Sequence, residues 1–253
     1  MNDLFALTGD CVLVTGGTRG IGRAISLRLA RAGARVVANY ARNDAAAETL
    51  RRDAEAERLA LEILRGDLTL PKGLAAVEAR MRHAAGTRIS LVHCAGTGVH
   101  RPFAELTTRH WDFTMALNVR AFFELVGKML PLFSDGSAIV PVSSAGATLA
   151  VPAYAAVGAS KGALESLARH LARELAPRGV RVNLLVPGTI ETEAWNAFPD
   201  KAARLAEAAR RTPLGRLLSL DEVAHAAQFL CSRAAHGLVG HSLIVDGGAR
   251  IAD

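Results

Sequence analysis

A chain of 253 residues, half of them hydrophobic, with a formal charge of +6 and an isoelectric point near 9.8, is long enough for one sizeable core, and α/β folds of this length are commonly a single domain. Its three cysteines, Cys11, Cys94 and Cys231, are odd in number, widely spaced and set in apolar runs, which argues against a disulfide framework and for reduced thiols in a cytoplasmic protein. The start carries an acid where an export signal needs a base, no run reaches the length of a membrane span, and the basic residues are scattered rather than massed, which disfavours secretion, membrane insertion and nucleic-acid binding.

Cys11-Val-Leu-Val-Thr15 is a short β-rich run, and Gly16-Gly-Thr-Arg-Gly-Ile-Gly22 follows it directly into a helical pattern that stops at Gly33. Strand, glycine loop and helix in that order form a phosphate cradle. Gly16, Gly20 and Gly22 allow the sharp turn and close approach, Thr18, Arg19 and Ile21 lie between them, and the helix offers its free amides to an anion. A second strand, 34–39, ends in Asn39-Tyr40-Ala-Arg42, where dinucleotide folds read the adenosine ribose. No acid stands there to accept from a free 2′-hydroxyl, whereas Arg42 and Arg19 can both reach an added 2′-phosphate, so NADPH is favoured over NADH.

Residues 44–60 read as a helix, 61–65 as a strand with Asp67 and Leu68 at its exit, 72–84 as a helix, and 90–94 as a strand running into Ala95 and Gly96. Asp67 either accepts from an adenine amino group or caps a turn. The alternation implies βαβ units: a Rossmann-type doubly wound parallel sheet of about seven strands with helices on both faces, one domain spanning 1–253. A helical run over 109–132 places Asn118 among apolar residues, which requires a hydrogen-bond partner, either backbone or water of an active site. A fifth strand, 137–142, ends at Ser143-Ser144, candidate donors to a substrate oxygen or turn formers.

Tyr154 and Lys161 follow, seven apart at the start of a helix that runs to Ala176. On a helix they share a face about 10 Å apart, too far for direct contact, so the lysine holds a third group such as a ribose. A sixth strand, 180–185, leads to Pro187, Gly188, Thr189 and Ile190, and residues 189–215 form an excursion long enough to be a substrate lid. A helix over 220–231 and a strand over 242–245 complete the pattern. No His or Cys pair has metal-ligand spacing, so no metal is expected. The sequence around Ser143 and Ser144 lacks the Gly-x-Ser-x-Gly of a nucleophilic serine.

Over essentially its whole length the chain resembles the short-chain dehydrogenase/reductase superfamily. The motifs are Thr15-Gly16-x-x-x-Gly20-x-Gly22, Cys94-Ala95-Gly96, Asn118, the two serines after strand five, Lys161 and Pro187-Gly188. Two departures stand out: Cys94 occupies the place of the usual asparagine, and Val157 stands four residues before the lysine, where ketone reductases of the superfamily carry their tyrosine. Tyr154, seven before Lys161, resembles the spacing of bacterial enoyl-acyl carrier protein reductases, the NADPH-dependent kind above all. Asn39-Tyr40-Ala-Arg42, Arg101-Pro102, His110-Trp111-Asp112, Val157-Gly158-x-Ser160-Lys161 and Thr192-Glu193-Ala194 are similar to that subgroup.

The resemblance implies reduction of the 2,3 double bond of a trans-2-enoyl thioester. Tyr154 would donate to the thioester oxygen, Lys161 would bind the nicotinamide ribose, Ser144 would assist and Asn118 would support the lysine through water. The dinucleotide would lie along Gly16–Gly22, Asn39, Tyr40, Arg42, Asp67, Leu68, Ala95, Gly96 and Pro187–Ile190. The resemblance also implies a homotetramer. Lys201, Arg204, Arg210 and Arg211 on the lid would suit an acidic acyl carrier protein. Two other readings stand beside this one: a 3-ketoacyl thioester or other carbonyl reductase in which Tyr154 bends back to act as the acid, and an NADPH-binding module without catalysis.

Overall fold

In the computed structural model, residues 3–193, 195 and 200–252 are described. The β-branched runs form strands: β1 (Asp10–Thr15), β2 (Arg35–Tyr40), β3 (Leu61–Arg65), β4 (Arg88–His93) and β5 (Ala138–Pro141), with the short β6 (Arg181–Val182), β7 (Leu184–Pro187) and β8 (Ser242–Val245) after them. The first sheet has the order β3-β2-β1-β4-β5-β6 and every pairing is parallel. Helices α1 (Gly20–Arg31), α2 (Asp44–Ala56), α3 (Pro71–Arg82), α4 (Thr108–Met115), α5 (Ala121–Met129), α6 (Ala155–Leu175), α7 (Lys201–Arg211) and α8 (Leu220–Cys231) lie between the strands.

Side chains alternate across each strand, and both faces of this sheet are covered. Leu13, Leu91 and Ile139 pack on one face with Phe122, Leu125 and Leu164, while Val12, Val14, Val92 and Val140 pack on the other with Ile25, Leu29, Val223 and Leu230. Burial on two sides explains why β1, β4 and β5 read as continuous apolar runs. The Rossmann-type parallel architecture expected from the alternation is present.

Three elements differ from the sequence expectation, each for a local reason. The second helix stops at Ala56 instead of 60 because Arg58 takes a left-handed conformation (φ 54°), and Leu59 N–H turns back to the Ala54 carbonyl at 2.8 Å. The run over 109–132 is not one regular helix: a π-helical turn, Ala116–Arg120, separates α4 from α5. The expected sixth strand is divided at Asn183, which leaves β7 and β8 as a two-stranded sheet. The Asn183 side chain donates to Leu238 O at 2.7 Å and accepts from His241 N at 2.9 Å, tying the approach to β8. β7 nonetheless keeps to the lane of β6. Val142 bridges to Leu185, and Ser143 N–H donates to Leu185 O at 2.8 Å, so seven lanes lie side by side, as anticipated.

Helix α8 is fastened beneath this edge by Arg181. Its buried guanidinium donates to the carbonyls of Leu230 at 2.8 Å, Ser232 at 3.1 Å and Ala235 at 3.2 Å, acceptors that a helix end leaves open. Among the described residues, no helix is long and apolar enough to cross a membrane. Arg181→Met should lower the free energy of unfolding by about 3 kcal/mol, because several buried carbonyls lose a charged donor together. Urea denaturation followed by circular dichroism checks it.

Candidate active site

Parallel strands bring their C-terminal ends to one edge, and the residues singled out from sequence collect there. The cradle begins at Thr15. Gly16 has φ +62°, and a Cβ on it would lie 2.9 Å from the Ala95 Cα; a Cβ on Gly22 would drive into the Gly16 carbonyl. The turn after β1 is therefore packed too tightly for any side chain at either position. Gly17 N–H donates to Asn39 O at 2.9 Å, and Ser26 Oγ to Gly17 O at 3.0 Å, which holds the loop's shape. Arg19, at the N-cap of α1, makes no side-chain cap. The first amides of the helix keep their donors for an external anion. This cradle fits a dinucleotide pyrophosphate.

The strand-β2 end departs from expectation. Asn39 is buried, and its Nδ2 donates to Gly66 O at 3.0 Å and Leu64 O at 3.3 Å, fastening β2 to the end of β3 rather than facing a ribose. Tyr40 hydroxyl donates to Asp44 Oδ1 at 2.8 Å. Asp67 caps the turn at the exit of β3: its Oδ1 accepts from Thr69 N–H at 3.0 Å and Thr69 Oγ1 at 2.6 Å, and these bonds hold its carboxyl below the usual range. Arg42 lies 3.7 Å from Asp67 with its side chain 82% exposed, and Arg19 is exposed too, so both cations stand at the rim. Leu68 is buried beside them. Pro187 ends β7, and Gly188 N–H donates to Val245 O at 2.8 Å, followed by Thr189 and the buried Ile190.

The chemistry gathers where β5 ends. Tyr154 is the N-cap of α6 with non-helical backbone (φ −121°, ψ 9°), so it does not share a helix face with Lys161 as the spacing alone implied. Ala153 before it holds φ 58°, an unfavourable conformation for a residue with a Cβ that costs about 1–3 kcal/mol and turns the chain sharply there. The phenol lies 3.2 Å from Ser144 Oγ. Burial raises the Tyr154 pKa, offset in part by Ser144, so the group holds its proton across the neutral range. Val157, at the place of the ketone reductases' tyrosine, is buried, and its Cγ2 fills the space beside Gly98. A hydrocarbon occupies the site where a second phenol would project.

Lys161 Nζ donates to Val142 O at 2.8 Å, and burial lowers its pKa. An ammonium has three donors, which leaves two for a bound group. The Asn118 side chain bonds directly to the β4 exit and to α6. Oδ1 accepts from Thr97 N–H at 2.9 Å, while Nδ2 donates to Thr97 O at 2.8 Å and Ser160 Oγ at 2.8 Å. It thus clamps the loop after β4 onto α6. The π-helical turn supplies the irregular backbone that carries it, a device common at functional sites. His93 lies below: Thr15 Oγ1 accepts from Ala95 N–H at 3.1 Å and pairs with His93 Nδ1 at 3.0 Å, and burial pushes the imidazole down to about 3.

Ser160 entered only as part of the motif ending at Lys161, and Thr97 and Glu165 were not anticipated, although Glu165 follows the lysine by one turn. His100 packs against Tyr154 with ring centroids 5.2 Å apart and the rings tilted by 49°. A shallow groove of about 490 Å³ lined by Arg101, Phe103, Leu149, Val151 and Tyr154 opens beside the phenol. Of the expected lid, 194 and 196–199 fall outside the described residues, and so does the Ala194 of the motif Thr192-Glu193-Ala194. Helix α7 lies within the rest. Three of its cations are paired locally: Lys201 with Glu191 at 2.8 Å, Arg204 with Asp200 at 2.8 Å, and Arg210 with Glu207. Among the described residues, no group of three or more metal-ligating side chains occurs.

A glycine cradle on a doubly wound sheet, with a tyrosine, a serine, a lysine and an asparagine at the strand ends, defines a dinucleotide-dependent oxidoreductase. The chain belongs to the short-chain dehydrogenase/reductase superfamily, since residues 16–250 match the family model described as Enoyl-(Acyl carrier protein) reductase. It is 32% identical over 242 residues to 1-cyclohexenylcarbonyl-CoA reductase of Streptomyces collinus, covering 94% of this chain and 86% of that one. It is 35% identical over 258 residues to gluconate 5-dehydrogenase of Gluconobacter oxydans (strain 621H), covering 98% of each. The solved gluconate 5-dehydrogenase of Burkholderia cenocepacia J2315, in complex with NADP and tartrate, superposes with a TM-score of 0.89 at 33% identity over 99% of both chains.

Gly146 sets the position of the phenol, because a Cβ there would enter the Tyr154 ring. Gly146→Ala should therefore lower kcat on the best substrate by about 10²-fold through displacement of the hydroxyl. The melting temperature should change little, and steady-state kinetics with differential scanning fluorimetry read both.

Proposed function

We propose that this oxidoreductase uses NADPH to reduce the 2,3 double bond of a trans-2-enoyl thioester. The observation that carries the reading is the substitution of places in α6: hydrocarbon at Val157, and the phenol of Tyr154 brought from the N-cap to within 3.2 Å of Ser144 Oγ. The relative from Streptomyces collinus, whose name is that of a reductase of a cyclohexenylcarbonyl thioester, supports it, as does the description of the matching family model. NADPH in place of NADH is supported by the exposed Arg19 and Arg42, by the absence of an acid at the end of β2, and by the NADP in the solved relative.

A dinucleotide held by the glycine cradle and Lys161 would supply hydride to the β-carbon. As negative charge gathers on the thioester oxygen, Tyr154 donates a hydrogen bond to it, and Ser144 is placed to donate a second. Lys161 holds the nicotinamide ribose with the donors not used by Val142 O, and its positive charge favours the enolate. Asn118 keeps the loop carrying Ala95 and Gly96 fixed against α6. The α-carbon takes its proton from solvent.

One observation favours a second reading. Two hydroxyls 3.2 Å apart suit a ketone oxygen that accepts from both, and the gluconate relatives bear names of that chemistry; Tyr154 would then be the acid of a 3-ketoacyl thioester or other carbonyl reductase. NADPH oxidation measured with crotonyl and acetoacetyl thioesters separates the two. The enoyl reading expects the crotonyl compound to be reduced faster, with kcat falling about 10²–10³-fold in Tyr154→Phe as one oxyanion donor is lost. Faster reduction of the acetoacetyl compound replaces it with the carbonyl reading. In Arg42→Ala the KM for NADPH should rise about tenfold with that for NADH unchanged, the scale of one charge-assisted phosphate contact.

A further inference from the structure

The mechanism leaves one buried charge without a task. Glu165 lies four residues beyond Lys161 on α6, hence on the same face and one turn further along. Its side chain is only 9% exposed. Oε1 accepts from Ser143 Oγ at 2.7 Å, and Oε2 lies 3.9 Å from the Arg169 guanidinium, which is 57% exposed and screened by solvent. Lysine and glutamate are thus moored to consecutive residues of the β5 exit, the first to Val142 O and the second to Ser143 Oγ.

A carboxylate so enclosed demands compensation that one hydroxyl and one solvated arginine do not supply. The enclosed ammonium one turn away has the complementary need. The other titratable groups facing Lys161 belong to β4, its exit and the N-cap of α6. Burial pushes the Cys94 thiol up to about 11, holds the His93 imidazole down to about 3 and raises the Tyr154 phenol, so all three are neutral at neutral pH. Of the two groups that oppose the effect of burial on Lys161, Cys94 and then Glu165, the second is a carboxylic acid one helical turn away.

We propose that Glu165 is a positioning residue that keeps Lys161 protonated and aimed at the site, through the anchorage that both share on Val142 and Ser143. It rests on the reading of Lys161 as the ribose-binding cation, not on which thioester is reduced. Glu165→Gln preserves volume and the acceptor for Ser143 while removing only charge. The chain has four lysines, Lys72, Lys128, Lys161 and Lys201, so each can be followed by NMR in lysine-labelled protein without dinucleotide.

In Glu165→Gln the Lys161 titration should move down by about one pH unit, the scale of a nearby opposite charge, and the alkaline loss of NADPH binding should move down with it. Ser143→Ala, which keeps the carboxylate, should shift it less, and Glu165→Asp should restore most of the wild-type value. Coincident Lys161 titrations in wild type and Glu165→Gln overturn the proposal. If Glu165→Gln does not fold, an unshifted Lys161 in Glu165→Met, which also removes the charge, overturns it equally. Wild-type protein inactive on both thioesters would sink the reading of function while leaving the lysine titration to decide the role of Glu165.

Discussion

Three consecutive residues leaving strand β5 fasten the N-cap and two residues of helix α6, and the candidate site depends on that seam. Val142 takes the Lys161 ammonium on its carbonyl, Ser143 donates to the Glu165 carboxylate, and Ser144 meets the Tyr154 hydroxyl. Because Val142 and Ser143 are also hydrogen-bonded or bridged to neighbouring strands, the helix inherits its register from the sheet. A polar seam at low dielectric is stable only when each member is satisfied, and satisfaction makes it rigid. The same physics that locates α6 therefore fixes where a proton donor and a cation can stand.

The seam also explains how a tyrosine can act from an unusual distance in sequence. Counting along a helix puts seven residues about 10 Å apart, yet Tyr154 is not in the helix. Ala153 turns the chain through a left-handed conformation, and the N-cap backbone lets the ring lie back over Gly146 toward Ser144. Val157, which does lie in the helix at the customary spacing, packs against Gly98 instead. Glycines at 98 and 146 are thus the complement of these two side chains: each removes a Cβ where a neighbour needs room.

Much of the fold was legible because its signals are local. The β-branched runs, the glycine cradle and the amphipathic stretches announce strands, loop and helices directly, and motif spacing carried Tyr154, Lys161, Ser144 and Asn118 to one edge of the sheet. What the sequence could not display was the partner of each polar side chain. Asn39 and Asn118 were recognised as placed near a ligand, but their amides close against Gly66, Leu64, Thr97 and Ser160, residues that only the folded chain brings to them. Glu165 gave no signal beyond its spacing from Lys161, since an acid in a charged helix reads as solvated until burial is known.

The central claim is that the displaced phenol, and not a group near Val157, meets the substrate oxygen. A crystal structure of the protein with NADP⁺ and a crotonyl thioester tests it most directly. The account predicts the thioester oxygen within hydrogen-bond distance of the Tyr154 hydroxyl, about 2.7 Å, with Val157 walling the acyl chain. A thioester oxygen bonded elsewhere, with the Tyr154 hydroxyl turned away from the nicotinamide, would contradict it.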